Sequence, residues 1–398
     1  MSHRYRMYPS VEQEQIMAMH CNHARFVWNL ALSQCEMSQS FGRFADQHDW
    51  SRQLTEARGS FDWLAEGSSQ VQHEACRDLQ QAFRNWWGNP AHFGRPTFRS
   101  RHRGNSGFSV QGLGLKTLSN KWASVKVPKA GWVKFRLSMP WGDHKSARVT
   151  LNRSGQWHIS LVGMQPALER TVTGLSVGVD RGITDAVVTS DEFFTSPYTL
   201  SHDESRRKKH LQRKLAKQRK GSNRRAKTKT AIAKLSLREA NRRKDWVEKT
   251  STRLVREYDL IVFEDLKVSN MMRSASGTVD APGKNVAQKR GLNRGIAAQG
   301  WTMLKTRTEQ KVTASEGCEV KSVPPAFTSQ RCSLCGEIGD RKAKVFTCGP
   351  CDLIIDADVN AARNIRDLGA GVALAGRGGP GAIRPTCETS TPALVIRS

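Results

Sequence analysis

A set of four cysteines in the last quarter of the chain constrains the fold more than any other feature. Two Cys-x-x-Cys pairs are separated by twelve residues, and their members are Cys332, Cys335, Cys348 and Cys351. Thiolates at this spacing can complete a tetrahedral site around Zn²⁺, and four of them leave no open position for a substrate. The sequence therefore predicts a small structural zinc element, which holds the segment that follows it against the rest of the chain.

The remaining cysteines and the amino-terminal residues bear on the compartment. The other five cysteines are scattered, and the first ten residues contain no apolar run like that of a secretory signal. In such a chain a tight cysteine set favours metal ligation over disulfides. No stretch approaches the roughly 20 apolar residues of a membrane helix. We therefore expect a protein of a reducing, intracellular (cytoplasmic) compartment that has no membrane partner.

The charge balance indicates the kind of partner. Lys and Arg number 63 against 36 Asp and Glu, which gives a formal net charge of +27. A surplus of this size is typical of a protein that binds a polyanion, above all a nucleic acid. A basic protein that binds RNA or a membrane surface without chemistry would show the same surplus. Charge alone therefore leaves an enzyme and a binding protein open.

The order of secondary structure indicates several domains, as the length of 398 residues also does. A short strand at 2–8 is followed by Ser10 and Gln13, which form a plausible capping box for a helix that reaches about Ser40. Further helical patterns cover about 49–65 and 70–87. From Phe93 to about Gln165, short alternating runs separated by Gly, Pro and Asn predict an antiparallel sheet or small barrel.

A strongly basic segment lies in the middle of the chain. Residues 206–244 contain 18 Lys or Arg and a single acid, Glu239. Good helix formers on both sides of Gly221-Ser222-Asn223 predict a helical hairpin. A segment of one sign would repel itself without a polyanion alongside, so contact with nucleic-acid phosphates is favoured over a solvated face. The candidate nucleic-acid-binding residues are Arg99, Arg101, Arg206, Arg207, Lys208, Lys209, Arg213, Lys214, Arg224 and Arg225.

Three acids lie at informative places in the carboxyl-terminal half. Asp180 ends the apolar run of VGVD, Glu264 ends the buried strand predicted for YDLIVFE, and Asp358 begins a short helix. Buried acids are costly unless a positive charge neutralises them. Three converging carboxylates would form an oxygen-only site for Mg²⁺ or Mn²⁺, and two such ions can activate water and stabilise the leaving oxygen of a phosphodiester. Any one of these acids, taken singly, could instead be a helix cap or an ion-pair partner.

The rest of this half is less regular. Residues 270–295, rich in Ser, Gly and Asn, are predicted to form a loop, and a helix is predicted for about 300–315. After Leu368 the chain becomes rich in Gly and Pro, and we expect a disordered tail.

The order of these motifs resembles one known family. VGVDRGI, the basic hairpin, VFEDL, PPAFTSQRCSLCG, FTCGPC and DADVNAARNI resemble the RuvC-like nuclease domain of TnpB, a family of transposon-encoded RNA-guided endonucleases. AFRNWW and FGRPTFRSR in the first half are similar to further segments of that family. By position, the resemblance implies that Asp180, Glu264 and Asp358 are the catalytic acids that bind Mg²⁺. Asp356 would support the site or be exposed, and Asp265 would point away from it.

The resemblance also implies a fold and partners. The fold class would be multidomain α/β, with an RNase H-like (RuvC) nuclease domain, a zinc ribbon, an amino-terminal helical recognition domain and an antiparallel β-barrel domain. We expect a barrel at 1–9 and 91–170, a helical domain at 10–90, a nuclease domain at 171–326 and 356–370 with the basic hairpin at 205–250, a ribbon at 327–355 and a disordered tail at 371–398. The partners would be a guide RNA and double-stranded target DNA with a short adjacent motif.

Several alternatives stay open at the level of sequence. A compact type V CRISPR effector that uses a crRNA shares the same motifs and length. A guided protein that binds DNA without cutting is disfavoured because all three acids are present. A DNA transposase that acts directly on transposon ends would use similar carboxylates without an RNA. The sequence leaves the oligomeric state, monomer or homodimer, undecided.

Overall fold

The computed structural model describes residues 2–40, 42, 44–101, 106–138, 146–162, 167–278 and 281–371. They divide into two compact units, one within 1–165 and 202–237 and the other within 166–201 and 238–398. All but the first residue of the predicted disordered tail at 371–398 lies outside the described residues. Over the described ranges, no helix is both long enough and apolar enough to cross a membrane.

The first unit begins with a strand and four helices. Their bounds are β1 Ser2–Tyr8, α1 Val11–Ser40, α2 Gln47–Ser60, α3 Asp62–Ala65 and α4 Ser69–Gly88. The predicted capping box is present, since the backbone N of Gln13 donates to Ser10 Oγ at 3.3 Å and the backbone N of Ser10 donates to Gln13 Oε1 at 3.0 Å. The fully buried Leu32 and Phe83 belong to the core that these helices share with the sheet.

Six further strands complete the sheet of this unit. They are β2 Ser106–Gln111, β3 Leu115–Ser119, β4 Trp122–Val127, β5 Gly131–Arg136, β6 Ser146–Leu151 and β7 Trp157–Val162. Seven strands pair in the order β2-β6-β7-β1-β5-β4-β3, and every pairing is antiparallel. The predicted antiparallel sheet is therefore confirmed. In this order β2 and β3 are the edges, so closure into a barrel stays a prediction.

The basic segment forms the predicted helical hairpin. Its helices are α5 His202–Lys217 and α6 Asn223–Glu257. Gly221 adopts a φ of 84° in the connection, a conformation that glycine tolerates without steric cost. The guanidinium of Arg225 donates to the carbonyl oxygens of Leu215 and, at 3.0 Å, of Gln218. It thereby satisfies carbonyls at the end of α5 that have no partner within the helix.

A five-stranded sheet organises the second unit. Its strands are β8 Ser176–Asp180, β9 Val187–Thr189, β10 Phe194–Thr195, β11 Leu260–Glu264 and β12 Glu319–Val323, in the order β10-β9-β8-β11-β12. Strand β11 is parallel to both β8 and β12, so the prediction of a central buried strand is confirmed. Helix α10 (Ala357–Gly369) packs so closely on β8 that a Cβ on Gly178 would lie 1.9 Å from the carbonyl oxygen of Ala362.

Three helices connect β11 and β12. They are α7 Val268–Met271, α8 Val286–Gln299 and α9 Trp301–Thr313. Helix α9 confirms the helix predicted for about 300–315. The prediction of a loop at 270–295 is wrong from Val286 onward, because α8 begins there. Gly291 and Gly295 lower the helix propensity of α8, and Ile296 is its one buried residue, so the apolar period that signals a helix is missing.

The four cysteines surround a small separate sheet of the second unit: Cys348 ends one of its strands, and Cys332, Cys335 and Cys351 lie outside its strands. Its antiparallel strands are β13 Asp340–Lys342, β14 Val345–Cys348 and β15 Leu353–Asp356. The buried Phe346 packs with the cysteines in a compact core. We call this element, residues 328–356, the cysteine element.

Candidate active site and metal centre

The three predicted catalytic acids come together at one edge of the five-stranded sheet. Asp180 and Glu264 end neighbouring parallel strands, and the residues before them, Val179 and Phe263, are register partners. Asp358 lies in the first turn of α10, the helix packed on β8. Burial raises the pKa of Asp180 to about 7, and repulsion from Glu264 and Asp358 adds to the shift. This electrostatic coupling indicates that the carboxylates of Glu264 and Asp358 lie near that of Asp180.

Neighbouring groups orient these carboxylates. The Thr328 hydroxyl donates to Oε1 of the buried Glu264 at 2.7 Å. Asp356 caps α10, because its Oδ1 accepts from the backbone N of Asp358 at 2.9 Å and of Val359 at 3.1 Å. Asp356 therefore supports the turn that bears Asp358 through the backbone, which is one of the two roles expected for it from the sequence. Asp265 is exposed, outside the buried end of β11.

Sequence reasoning missed two cations at this site. Arg341 on β13 donates to Asp358 Oδ1 at 2.7 Å, and its positive charge lowers the pKa of Asp180 against the effects that raise it. Lys344 pairs with Asp185 at 2.5 Å, and attraction by Asp185 raises the pKa of Lys344. Both cations flank the tight turn at Ala343, whose φ is 53°. The hairpin of β13 and β14 therefore carries two positive charges to the acidic edge.

The donor set at this edge suits a hard divalent cation. Three carboxylates supply only oxygen ligands, which Mg²⁺ and Mn²⁺ prefer. Burial, with added repulsion from Glu264 and Asp358, raises the pKa of Asp180 to about 7, so a bound cation would favour its charged form. The residues that would hold the ion are Asp180, Glu264 and Asp358.

The four cysteines form a second potential metal site. Their Sγ atoms all lie within 4.8 Å of one another, and no other group of His, Cys, Asp or Glu within the described ranges meets this criterion. Sγ of Cys332 lies 3.5 Å from Sγ of Cys351, and Sγ of Cys335 lies 3.5 Å from Sγ of Cys348. The cluster could hold one ion with four thiolate ligands, as the sequence predicted.

Two asparagines of α10 fasten the cysteine element to the acidic site. Asn360 accepts from the backbone N of Ser333 at 2.8 Å and donates to the carbonyl of Arg331 at 2.7 Å. Asn364 donates to the carbonyls of Thr328 and Arg331, each at 2.8 Å. Because both are fully buried, these bonds are shielded from water. The asparagines of the DVNAARN segment thus hold the first cysteine pair beside Asp358.

The candidate nucleic-acid-binding residues lie in different surroundings. Arg99 stacks over the ring of Trp28 at 3.3 Å from its centroid, and burial lowers the pKa of Arg99 to about 10. Arg225 caps α5, Arg206 pairs with Asp203 at 2.8 Å, and Lys208 is half-buried. The other six candidates are exposed: Arg101, Arg207, Lys209, Arg213, Lys214 and Arg224.

A polar cleft of about 620 Å³ in the first unit was not predicted from sequence. Helix α4 and strands β2, β6 and β7 line it. Arg148 pairs with Asp78 at 2.9 Å, and Arg77 donates to the side chain of Gln111 at 3.0 Å. Gln81 and Arg84 also line the cleft, and both side chains are exposed.

Comparisons with known proteins decide the family. A model described as "Probable transposase" matches residues 159–275, which contain Asp180 and Glu264, and "Cas12f1-like, TNB domain" matches 301–365, which contain Asp358 and the four cysteines. "Putative RNA-guided DNA endonuclease InsQ" of Escherichia coli (strain K12) is 33% identical over 94% of this chain and 93% of its own. The chain belongs to the TnpB family. A Streptomyces pristinaespiralis "Putative RNA-guided DNA endonuclease" is 30% identical to this TnpB-family chain over 97% of it and 92% of the relative.

More distant relatives match parts of this TnpB-family chain. "TnpB-like protein L79" of Acanthamoeba polyphaga mimivirus is 32% identical over 37% of the chain and 27% of the relative. A "Helix-turn-helix domain" model matches residues 1–38, where the structure has β1 and the single long helix α1. "Cryo-EM structure of CRISPR-Cas12f Ternary Complex" covers 89% of this chain and 81% of that one at 17% identity, with a TM-score of 0.33. A likeness at that level carries no argument about the fold.

Proposed function

We propose that this TnpB-family chain is an RNA-guided DNA endonuclease that hydrolyses target DNA at Asp180, Glu264 and Asp358 with Mg²⁺ or Mn²⁺. One observation carries the proposal: three acids from separate segments meet at one sheet edge, where their repulsion contributes to raising the pKa of Asp180 to about 7. Acids so arranged disfavour the folded state unless a cation joins them. The two relatives matched over nine-tenths of their length carry the same activity in their names.

The mechanism assigns a task to each residue of the site. When bound, a divalent cation would supply a water of lowered pKa and stabilise charge on the departing oxygen. Thr328 fixes the Glu264 carboxylate, and Asp356 fixes the turn that bears Asp358. Arg341 balances the negative charge of Asp358 and offers further N–H donors to a phosphate oxygen. Asp180 must be deprotonated to act as a ligand.

The domain roles follow from the same proposal. The five-stranded sheet with α10 would be the RNase H-like (RuvC) part, and the cysteine element would be a structural zinc ribbon. The helices α1–α4 and the antiparallel sheet of the first unit would be the recognition and barrel-like parts. Asn360 and Asn364 support the ribbon assignment, because they connect the first cysteine pair to the helix that carries Asp358.

The exposed cations of the hairpin would hold the guide RNA or the target DNA through their phosphates. Arg207, Lys209, Arg213, Lys214 and Arg224 are exposed, so they can neutralise phosphates without breaking a helix cap or a buried stack. Arg99 and Arg225 make intramolecular contacts of that kind, and we assign them to the fold rather than to phosphate binding.

The polar cleft of the first unit would read the short motif beside the target. Gln and Arg side chains form paired hydrogen bonds with adenine and guanine edges in the major groove, and Ser accepts or donates to either. Exposed Gln81 and Arg84 on α4 have this chemistry, and Ser109 and Ser146 line the same cleft. Base pairing to the guide would supply the rest of the sequence specificity.

Two other functions are distinguished by the RNA that the protein carries. The "Probable transposase" description of the matching model favours a transposase that acts directly on DNA ends. A compact CRISPR effector is the other candidate: Cas12f1 of Sulfoacidibacillus thermotolerans is 42% identical, but over only 17% of each chain. We would express the protein with its native flanking DNA and sequence the bound RNA. An RNA with a variable segment supports guided cutting, and its origin separates a transposon from a CRISPR array. Specific binding of DNA ends without RNA would support the transposase.

A further inference from the structure

The loop between β12 and the cysteine element carries an aromatic residue in a strained conformation. Phe327 has a φ of 65°, and 56% of its surface is exposed. A left-handed φ is uncommon for any residue with a side chain and a clear outlier for a bulky one. Such conformations persist only where the surroundings enforce them, and they cluster at functional sites. Burial of the ring does not explain the left-handed conformation of Phe327, because the side chain remains largely exposed to solvent.

The same loop forms part of a cleft of about 570 Å³. Its apolar walls come from Leu266, Met271, Pro324 and Pro325, and Asn270 and Ser322 add polar groups. Lys267 also lines the cleft, and the guanidinium of Arg331 lies 5.7 Å from the centre of the Phe327 ring. The loop therefore combines flat apolar surfaces with positive charge.

Thr328 connects these features to the acidic site. Its hydroxyl lies 2.7 Å from Oε1 of Glu264 and 3.1 Å from the carbonyl oxygen of Pro325, which is part of the cleft wall. The backbone N of Asp265, also in the wall, donates to the carbonyl of Val323 at 2.8 Å. Phe327 is therefore one residue away from the side chain that holds Glu264, and the cleft wall includes Asp265, the residue that follows Glu264.

We propose that Phe327 and this cleft hold unpaired nucleobases of the DNA strand whose phosphate lies at the acidic site. The proposal rests on the proposed nuclease function and adds the residues that hold the bases of the strand being cut. A duplex keeps its bases stacked inside, so a strand that lies on this loop must expose them. Bases stack on aromatic and apolar side chains whatever their sequence, which suits an enzyme whose specificity lies in its guide.

Charge favours a nucleic acid over a peptide as the occupant. Lys267 and Arg331 flank the apolar surfaces and can neutralise backbone phosphates. The polar atoms of Asn270 and Ser322 can donate to or accept from base edges, as in pockets that bind a flipped base. The hydrogen bonds of Thr328 to Glu264 and to the carbonyl of Pro325 connect the cleft wall to the acidic site.

A scan with abasic target DNA tests the proposal. The full-length protein with its copurified RNA is given matched DNAs, each lacking one base at a position around the cut. We expect loss of a base next to the cut to slow wild-type cleavage about 5- to 100-fold, the range of one base–aromatic stack. Phe327→Ala should slow cleavage of intact DNA by a similar factor and show no added loss on the abasic DNA. Phe327→Trp should behave as wild type.

The matched control is Phe194→Ala, which removes another exposed phenylalanine of the second unit. Equal rates for Phe327→Ala and Phe194→Ala would overturn the proposal, as would an abasic penalty that is the same in wild type and Phe327→Ala. Weaker retention of the copurified RNA by Phe327→Ala would also overturn it, because the occupant would then be the guide.

A second readout does not depend on cutting. In the Asp180→Ala background, 2-aminopurine placed next to the cut position should be quenched on binding, and the quenching should disappear when Phe327 becomes Ala. Suppose that the quenching requires Phe327 but the wild-type protein cuts no matched DNA. That pair of results would refute the nuclease function and leave the base-binding site standing. Asp180-dependent cutting with quenching that is identical in both proteins would refute the base-binding site alone.

Discussion

The guanidinium of Arg341 donates a 2.7 Å hydrogen bond to Oδ1 of Asp358, and this contact links the cysteine element to the acidic site. Arg341 lies in β13, between the two cysteine pairs, whereas Asp358 lies in the first turn of α10. A change in the position of the cysteine element would therefore alter the charge balance of the three carboxylates.

Arg341→Ala should reduce cleavage about 100- to 1000-fold, the range seen when one hydrogen-bond donor is removed from a transition-state site. Loss of this positive charge should also raise the pKa of Asp180 further, so the rising limb of the pH–rate profile should move to higher pH. Arg341→Lys should restore part of the rate, because a lysine keeps the charge without the planar fork. The control is Lys342→Ala, the exposed neighbour on β13. An unchanged profile for Arg341→Ala would contradict the electrostatic role.

Asp180 should make the metal-free protein more stable at acidic pH than at neutral pH, because its pKa is raised in the folded state. Its folded-state pKa, about 7, exceeds the ordinary 3.8, so the folded state binds more protons than the unfolded state between these values. The contribution of Asp180 to stability therefore falls as pH rises from about 4 to 7. Asp180→Asn should raise the melting temperature of the metal-free protein at pH 8 by a few degrees and have little effect near pH 4.

Added Mg²⁺ should offset the loss of stability that the charged Asp180 causes in wild type at high pH. A cation that binds the charged carboxylate competes with the proton, so added Mg²⁺ should stabilise wild type more at pH 8 than at pH 5. The same addition should hardly affect Asp180→Asn. Melting curves of both proteins with and without Mg²⁺ at pH 5 and pH 8 give the four shifts in melting temperature to compare. Equal stabilisation of the two proteins at pH 8 would place the cation elsewhere.

Cys335→Ser should lower the zinc content below one ion per chain and reduce both cleavage and the melting temperature. The physical reason is that a four-thiolate site loses a ligand, and the small core around Phe346 depends on the bound ion. Cys318→Ser is the matched control, because Cys318 is half-buried and outside the cluster. Metal analysis of the purified proteins measures the effect. One zinc per chain in Cys335→Ser would show that the cluster does not bind the ion as proposed.

Replacing Arg207, Lys209, Arg213 and Lys214 with Gln should weaken nucleic-acid binding and flatten its salt dependence. Each lost phosphate contact should reduce the slope of log K against log salt by about 0.9 for duplex and about 0.7 for single strands. Measuring the affinity at salt concentrations from about 50 to about 300 mM gives the slope of log K against log salt. Lys249→Gln serves as control, since Lys249 pairs with Asp245 at 2.8 Å. A slope equal to that of wild type would assign the four cations to solvent.

The strands that carry Asp180 and Glu264 could be predicted because each is a short apolar run that ends in an acid. Their convergence could be expected only from the resemblance, since spacing along the chain does not fix which strands pair. Arg341 could not be selected from Arg341, Lys342 and Lys344, because the turn at Ala343 decides which cation faces Asp358.

Three other features could not be predicted from the sequence, each for its own physical reason. Helix α8 lacks the apolar period of a buried helix, since Ile296 is its one buried residue. The left-handed backbone of Phe327 could not be foreseen, because phenylalanine does not favour that conformation and the loop around it imposes it. Arg99 was predicted to bind nucleic acid, but its stacking on Trp28 depends on a contact between distant segments.

The central claim is that Asp180, Glu264 and Asp358 cut DNA chosen by a bound RNA. The most direct measurement is cleavage by the purified protein–RNA complex of DNA that matches the variable segment of that RNA, and of DNA that does not. We predict that wild type cuts only matched DNA and only with a divalent cation. Ala at any of the three positions should slow cutting by about 1000-fold or more and leave binding of RNA and DNA intact. Wild-type rates in any of these variants, or equal cutting of unmatched DNA, would contradict the account.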